Sequence, residues 1–224
     1  MNMLTLSTWE TRLLSVNKGR AKRPARRGYH HGNLRRALLD AAIALIQSEG
    51  ADALTLRAAA RAAGVSQAAP YRHFTDKDEL LAAVAEEGFR LMTAGMRAAA
   101  AAHPDDAIGA LRGCGLAYIA FARAHPAHFR VMFGRYVAKR AAHPDLREAA
   151  GEAFAEVEAR IVAGQKAGFV VEGDATSLAI TSWATIHGLA SLLVDGQLEE
   201  RGGDDPDGLA SAVTAALFLG IGRR

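Results

Sequence analysis

The residues of this 224-residue chain best suited to chemistry with a polyanion lie in one run, GVSQAAPYRHFTDKDEL, Gly64–Leu80. Gln67 offers an amide that can pair with adenine. The methyl groups of Ala68 and Ala69 can meet thymine methyls or let a backbone approach closely. Tyr71 can reach a phosphate, Arg72 and His73 follow it, and Lys77 opens the next helix. Such a set divides the work: phosphate contacts position, and base contacts from Gln67 to Ala69 specify. Each residue also has a plainer role available. Tyr71 and Phe74 are three apart and can close a small core, and Arg72 and His73 can be solvated surface residues.

The run has to be held by a turn between helices. Gly64 supplies the left-handed backbone that a tight turn needs. Val65 is expected to pack inward, and Ser66 to cap a third, very short helix whose first N–H groups face outward. Two short helices joined this way form a helix-turn-helix, whose second helix enters the major groove. Pro70 sits one position past the tolerated first turn, so the Ser66 carbonyl is expected to lack its helical donor.

Around this run the chain reads as helical. Alanine is abundant, and strand-favouring Val, Ile and Thr are sparse. Asn33 can cap a helix reaching Ser48, with Leu34, Leu38, Ala42 and Leu45 on one face and Gly50 after it. Thr55 caps a helix over 56–63. Thr75 or Asp76 starts a long helix to about Ala101, with Asp78 and Glu79 in its first turn. Further helices are expected over 107–124, from Pro126 to about Gly134, over 146–167, from Asp174 or Thr176 to about Asp195, and over 209–219. That makes nine or ten helices and no convincing strand. EERGGDDPDG, Glu199–Gly208, reads as a solvated loop.

Charge divides the chain. Residues 1–80 hold 13 Lys or Arg against 7 Asp or Glu, whereas the remainder is mildly acidic, within an overall net charge of +3. A basic head on an acidic body points to a polyanion partner for the head alone. MNMLTLSTWETRLL carries Glu10 and Arg12 where a signal peptide needs apolar residues. No run of eighteen apolar residues occurs, so a cytoplasmic protein with no membrane span is expected. The single cysteine, Cys114, rules out an intrachain disulfide. There is no Gly-rich phosphate loop and no His-Glu pair at metal spacing. His125 and His128 flank a proline with no acidic partner nearby in sequence, and an enzyme, a metal site or a cofactor is not expected.

TLRAAARAAGVSQAAPYRHFTDKDELL, Thr55–Leu81, resembles the DNA-binding head of the TetR/AcrR family of bacterial transcriptional regulators. The pattern is carried by Thr55, Ala60, Ala63, Gly64, Val65, Ser66, Tyr71, Phe74, Lys77 and Leu80. Two positions depart from it: Ala59 replaces a large aliphatic, and Ala69-Pro70 replaces a small residue followed by leucine. The resemblance implies an all-α fold with an N-terminal three-helix head at 29–81, after a basic extension at 1–28, and a larger helical regulatory and dimerisation domain at 82–224. It implies DNA contacts from Thr55, Gln67, Ala68, Ala69, Tyr71 and Lys77, with Arg26 and Arg27 on an arm reaching the neighbouring groove; Ser66, Arg72 and His73 are candidate contacts by their own chemistry and place in the run. It also implies a homodimer on a roughly palindromic duplex.

In the body, Phe89, Met92, Met96, Tyr118, Phe121, Phe129, Met132, Trp183 and His187 form either one core or the lining of an adaptable pocket with a few polar handles. WATIHGLASLLVDG, Trp183–Gly196, resembles the Trp-x-x-x-His-Gly signature of a C-terminal domain in one branch of the family. That resemblance implies a partly apolar small-molecule effector. It also implies a dimer face from the last two long helices, with Leu189, Leu192, Leu193, Val213, Ala216 and Leu217 as members. The expected function is a ligand-responsive repressor. An activator, an architectural DNA binder and a helical ligand carrier with weak DNA binding are the alternatives.

Overall fold

The computed structural model describes residues 34–136, 142–199 and 205–222. The expected extension, with Arg26 and Arg27, and the expected cap Asn33 lie outside the described residues. The described residues all fall in one compact unit. Its elements are α1 (Leu34–Glu49), α2 (Leu56–Ala62), α3 (Lys77–Ala101), α4 (Ala107–Ala124), α5 (Pro126–Phe133), α6 (Pro144–Lys166), α7 (Ala175–Val194) and α8 (Pro206–Ile221). Short 3-10 turns cover Ala51–Ala53 and Pro70–Arg72. The described residues hold no strand, only one isolated bridge between Val170 and Gly222.

Local side chains set most helix ends. Thr55 Oγ1 accepts from the Ala58 N–H at 3.0 Å, and Asp76 Oδ1 from the Glu79 N–H at 2.9 Å. Asp106, Asp174 and Asp205 cap α4, α7 and α8 in the same way. The carboxyl group of Asp174 lies below the usual carboxylate range, because it accepts from the side chain and backbone of Ser177. After α2 the chain makes a Schellman motif. Gly64, at φ +70°, donates to the Arg61 carbonyl at 3.2 Å, and Val65 donates to the Ala60 carbonyl at 3.0 Å. Val65 then packs against the core, as its place in the turn implies.

The head core consists of Leu38, Leu39, Ala42, Leu54, Leu56, Ala59 and Phe74. Phe74 is 2% exposed, with the Arg35 guanidinium 5.8 Å from its ring centroid. Ala59, where the family pattern has a larger aliphatic, is fully buried. α3 joins this core to the body. Leu80, Leu81, Ala82, Ala83, Val84 and Ala85 are consecutive and all buried, so this stretch has no solvent face. It packs against α1 on the head side and against α4, α5 and α6 on the body side. Gly88 makes the α5 approach possible: a Cβ there would run into Met132 Sδ and come within 3.1 Å of His128 Cβ.

Two expectations change. The third head helix does not form as an α-helix from Ser66: residues 67–69 turn, and Pro70–Arg72 is a 3-10 segment. Nor is the Ser66 carbonyl left empty. It accepts from the Ala69 N–H at 3.0 Å, so the chain tightens to i+3 bonding where proline removes the i+4 donor. α7 is, by length and composition, apolar enough to cross a membrane, with 28% of its most apolar window buried inside the subunit. Serines and threonines interrupt it, which is why a search for an unbroken apolar run passes it by.

Thr55→Ala should cost about 1 kcal/mol of stability by removing the cap. Gly64→Ala should cost about 1–2 kcal/mol by forcing a Cβ into left-handed backbone. Urea denaturation should show lower midpoints for both; unchanged midpoints would contradict these local roles.

Candidate DNA-reading surface and body cavity

The turn places most of the expected DNA-contacting residues outward. Ser66, Gln67, Ala68, Arg72 and His73 are exposed, and Tyr71, 55% exposed, is one of the most exposed large side chains described. Ala69 is half-buried, and Pro70 is buried beneath the segment. Thr55 is exposed while its hydroxyl oxygen caps α2. Lys77 is half-buried, and its ammonium donates to the Asp52 carbonyl at 3.0 Å. That bond fixes the side chain against the 3-10 turn preceding α2. With no α-helix behind Ser66, the expected helix-terminus phosphate site there is absent. What remains is a ridge of small and polar residues held up by buried Pro70 and Phe74. Sequence reasoning passes over Arg57 and Arg61, four apart on α2, both exposed and without an ion pair among the described residues. Their signal is the i, i+4 basic spacing just ahead of the glycine turn.

A polar link runs from the head into the body. Arg36 of α1 pairs with Asp40 and with Glu87 of α3, where one guanidinium nitrogen lies 3.1 Å from Glu87 Oε1. These hydrogen bonds, that to Asp40 first, raise the Arg36 pKa further above its ordinary value. Glu87 Oε1 also faces His128 Nε2 of α5 at 3.3 Å. His128 is 4% exposed, and burial lowers its pKa more than Glu87 raises it.

Two neighbouring cavities open in the body. The larger, about 210 Å³, is lined by Phe89, Met92, Met96, Tyr118, Phe133, Ala150, Ala153, Phe154, Val157 and Trp183. A narrower one, about 40 Å³, shares Met96, Tyr118, Val157 and Trp183 and continues toward Leu111, Ile186 and α8. Of the expected effector contacts, Phe89, Met92, Met96, Tyr118 and Trp183 line this space. Phe121, Phe129, Met132 and His187 do not: Phe121, Phe129 and Met132 are buried in the core, and His187 stands behind Tyr118. Phe133, Phe154 and Val157, which composition alone leaves among general body residues, complete the larger wall.

The polar groups of the cavity form a chain. Trp183 Nε1–H donates to the Tyr118 hydroxyl oxygen at 3.4 Å. That hydroxyl lies 2.8 Å from His187 Nδ1, and His187 Nε2 lies 3.4 Å from Ser191 Oγ. One arrangement satisfies all of them: Tyr118 donates to Nδ1 of a neutral His187, whose Nε2–H donates to Ser191. Burial raises the Tyr118 phenol well above its usual range and lowers the His187 pKa, so both stay uncharged near neutrality. Cys114 nearby is pushed up to about 11 by burial, and its thiol donates to the Met96 carbonyl.

The outer faces of the last two helices are apolar. On α7, Ile180, Ala184 and Leu192 are exposed; on α8, Ala212, Ala215, Ala216 and Leu219 are, the last at 80%. Of the residues expected at a dimer face, Leu192 and Ala216 lie here. Leu189 is buried in the subunit's own core, and Leu193, Val213 and Leu217 are half-buried against that core.

The profile of bacterial regulatory proteins of the tetR family matches residues 38–84, and that of the tetracyclin repressor-like C-terminal domain matches residues 111–217. The chain belongs to the TetR family. As a member it is a DNA-binding regulator rather than an enzyme. A protein of unknown function from Rhodococcus sp. RHA1 is 34% identical; the alignment covers 88% of this chain and 100% of that one, with a TM-score of 0.76. A tetR-family regulatory protein from Rhodococcus RHA1 shares the fold at 24% identity, covering 84% and 97%, with a TM-score of 0.63. The regulator PfmR from Thermus thermophilus does so at 19% identity, covering 83% and 99%, with a TM-score of 0.63. Among curated proteins, none matches the chain.

Buried His128 and half-buried His187 contribute a pH dependence. Unfolded, each titrates near ~6.5; folded, each is held neutral to lower pH. Below that value the unfolded chain takes up protons the folded one does not, so stability is full above it and falls as pH falls toward the folded values. Scanning calorimetry should show a lower Tm at about pH 5.5 than at about pH 7.5. A His128→Asn, His187→Asn double variant should show a flatter profile. A Tm independent of pH in the wild-type chain would contradict this.

Proposed function

We propose that the chain is a sequence-specific repressor that acts in the cytoplasm as a homodimer on a two-fold symmetric operator and is released by a small molecule held in the body cavity. The exposed Gln67–Arg72 ridge carries the DNA-reading part of this reading. Gln67, Ala68 and Ala69 read bases, with Ser66 and His73 beside them. Tyr71, Arg72 and Thr55 contact phosphates, joined by Arg57 and Arg61 and, from the arm, Arg26 and Arg27. Lys77 reaches a phosphate by exchanging its Asp52 carbonyl for one. The domains are read as a head at 29–81 and a regulatory body at 82–224, meeting inside α3.

Dimerisation is supported by the outer apolar faces of α7 and α8. A four-helix interface from two copies would cover Ile180, Leu192, Ala216 and Leu219 and bring the small residues Ala184, Gly188 and Ala212 close to the partner's backbone. The same faces explain why α7 resembles a membrane span in composition. The response to effector is supported by the continuity of α3, which lines the cavity through Phe89, Met92 and Met96 and carries Lys77 at its start. A ligand that binds one spacing of the two heads better than another shifts the population between them and changes operator affinity reciprocally.

On a duplex recovered from a random pool by wild-type protein, Gln67→Ala should lose about 1–3 kcal/mol and relax preference at one position. Tyr71→Ala should weaken binding to all duplexes by a similar factor. In sedimentation the wild type should run as a dimer, and Leu192→Glu with Ala216→Glu as a monomer. Equal affinity of the wild type for all duplexes would contradict the specific reading and favour an architectural binder; a wild-type monomer at micromolar concentration would contradict the dimer.

A further inference from the structure

The lining of the body cavity specifies a chemical class of ligand. We propose that it takes an uncharged, mainly apolar molecule of about the size of a substituted fused bicycle, bearing one hydrogen-bond acceptor that meets Trp183 Nε1–H. This rests on the body cavity being the effector site. Size comes first. An apolar cavity of about 150 Å³ accommodates benzene. The larger cavity here is about 210 Å³, and the narrower one of about 40 Å³ adjoins it across Met96, Tyr118, Val157 and Trp183. Together they suit a ligand roughly twice benzene's heavy-atom count.

Charge comes second. None of the ten side chains lining the larger cavity is ionisable near neutrality, since the Tyr118 phenol is held protonated by burial. A carboxylate or ammonium placed there would lose its hydration without an opposite charge, which is costly. The narrower cavity touches one ionised side chain, Arg112, but it is exposed at the rim, and the space beside it holds little more than a water. The neighbouring carboxylate Glu156 is taken up by Arg97 and Arg160.

Polarity comes third. Ser182 and Thr214 donate to carbonyls of their own helices, and Cys114 donates to Met96. Tyr118 donates to His187. Of the uncharged donors, the one held most loosely is Trp183 Nε1–H, at 3.4 Å from the Tyr118 oxygen, on a side chain 37% exposed at the cavity wall. A ligand carbonyl or ether oxygen can take that donor at the cost of one long hydrogen bond. In the larger cavity the Tyr118 oxygen is the one side-chain acceptor among the lining residues and it already accepts from Trp183, so a ligand donor there competes with a bond already made.

Calorimetric titration of the full chain with three matched compounds tests this: 2-acetylnaphthalene, 2-naphthoate and 2-ethylnaphthalene. The ketone should bind at least roughly tenfold more tightly than the carboxylate, in line with the cost of burying an unpaired charge. Trp183→Phe should weaken the ketone by roughly three- to tenfold more than it weakens 2-ethylnaphthalene, the difference being the worth of one hydrogen bond and the ethylnaphthalene loss reporting the apolar contact removed with the indole. Naphthoate binding as tightly as the ketone, with the affinity lost in Arg112→Ala, would overturn the neutral class while leaving the cavity a ligand site. A ketone loss in Trp183→Phe no larger than that of 2-ethylnaphthalene would overturn the assigned donor. If none of the three binds, the effector-site reading falls together with this proposal.

Discussion

The joining of head to body depends on one stretch of α3 having no outside. From Leu80 to Ala85, α3 is buried on all sides, and a helix apolar all round is stable only when other elements enclose it. Here the enclosing elements are α1 of the head and the body helices packed against α3. Each buried leucine contributes about 1.5–3 kcal/mol, so neither half can pull away from α3 without exposing part of that surface. Arg36, Glu87 and His128 add a polar strap at the same level, joining α1, α3 and α5. Gly88 lets α5 sit against the helix one turn below. The orientation of the head is therefore set by body packing rather than by a linker.

The body meets a second constraint with two-sided helices. α7 contributes Ala179, Ile186, Leu189 and Ala190 to its own core and presents Ile180, Ala184 and Leu192 outward. α8 repeats the pattern. Between them and α3 the side chains do not close, and the space that remains is edged by Tyr118 and Trp183 backed by His187. A cavity next to a shared helix and an apolar face on the opposite side are the two features an allosteric dimer requires: a place for differential binding and a partner whose spacing can change.

Much of this is legible in the sequence because capping chemistry is local. Thr55, Asp76, Asp106 and Asp174 announce helices at the residue where they begin, and Gly50 and Gly64 mark ends through backbone that other residues resist. Proline at the first helical position is read correctly at Pro126 of α5 but missed twice: α6 begins at Pro144 rather than Leu146, and α8 at Pro206 rather than Leu209. Pro70 is recognisable as a conflict, but its resolution, a shift to i+3 bonding, depends on Ala69 supplying a donor, which sequence does not show. The cavity is half legible. Met92 and Met132 are alike in type and neighbourhood, yet one lines the space and the other fills the gap over Gly88. That difference arises from α3, α4, α6 and α7 meeting in three dimensions. The same holds for Leu189 and Leu192, three residues apart on α7, the first buried in the subunit and the second 39% exposed.

The claim on which the account rests is that the Gln67–Arg72 ridge, carried twice by a two-fold dimer, reads a specific sequence. Sequencing the genomic fragments that the wild-type protein retains at physiological salt tests it most directly. The account predicts enrichment of one motif made of two inverted half-sites, with centres separated by about 10 base pairs or a multiple of it. Retained fragments that cover the genome evenly, with no shared motif, would contradict it.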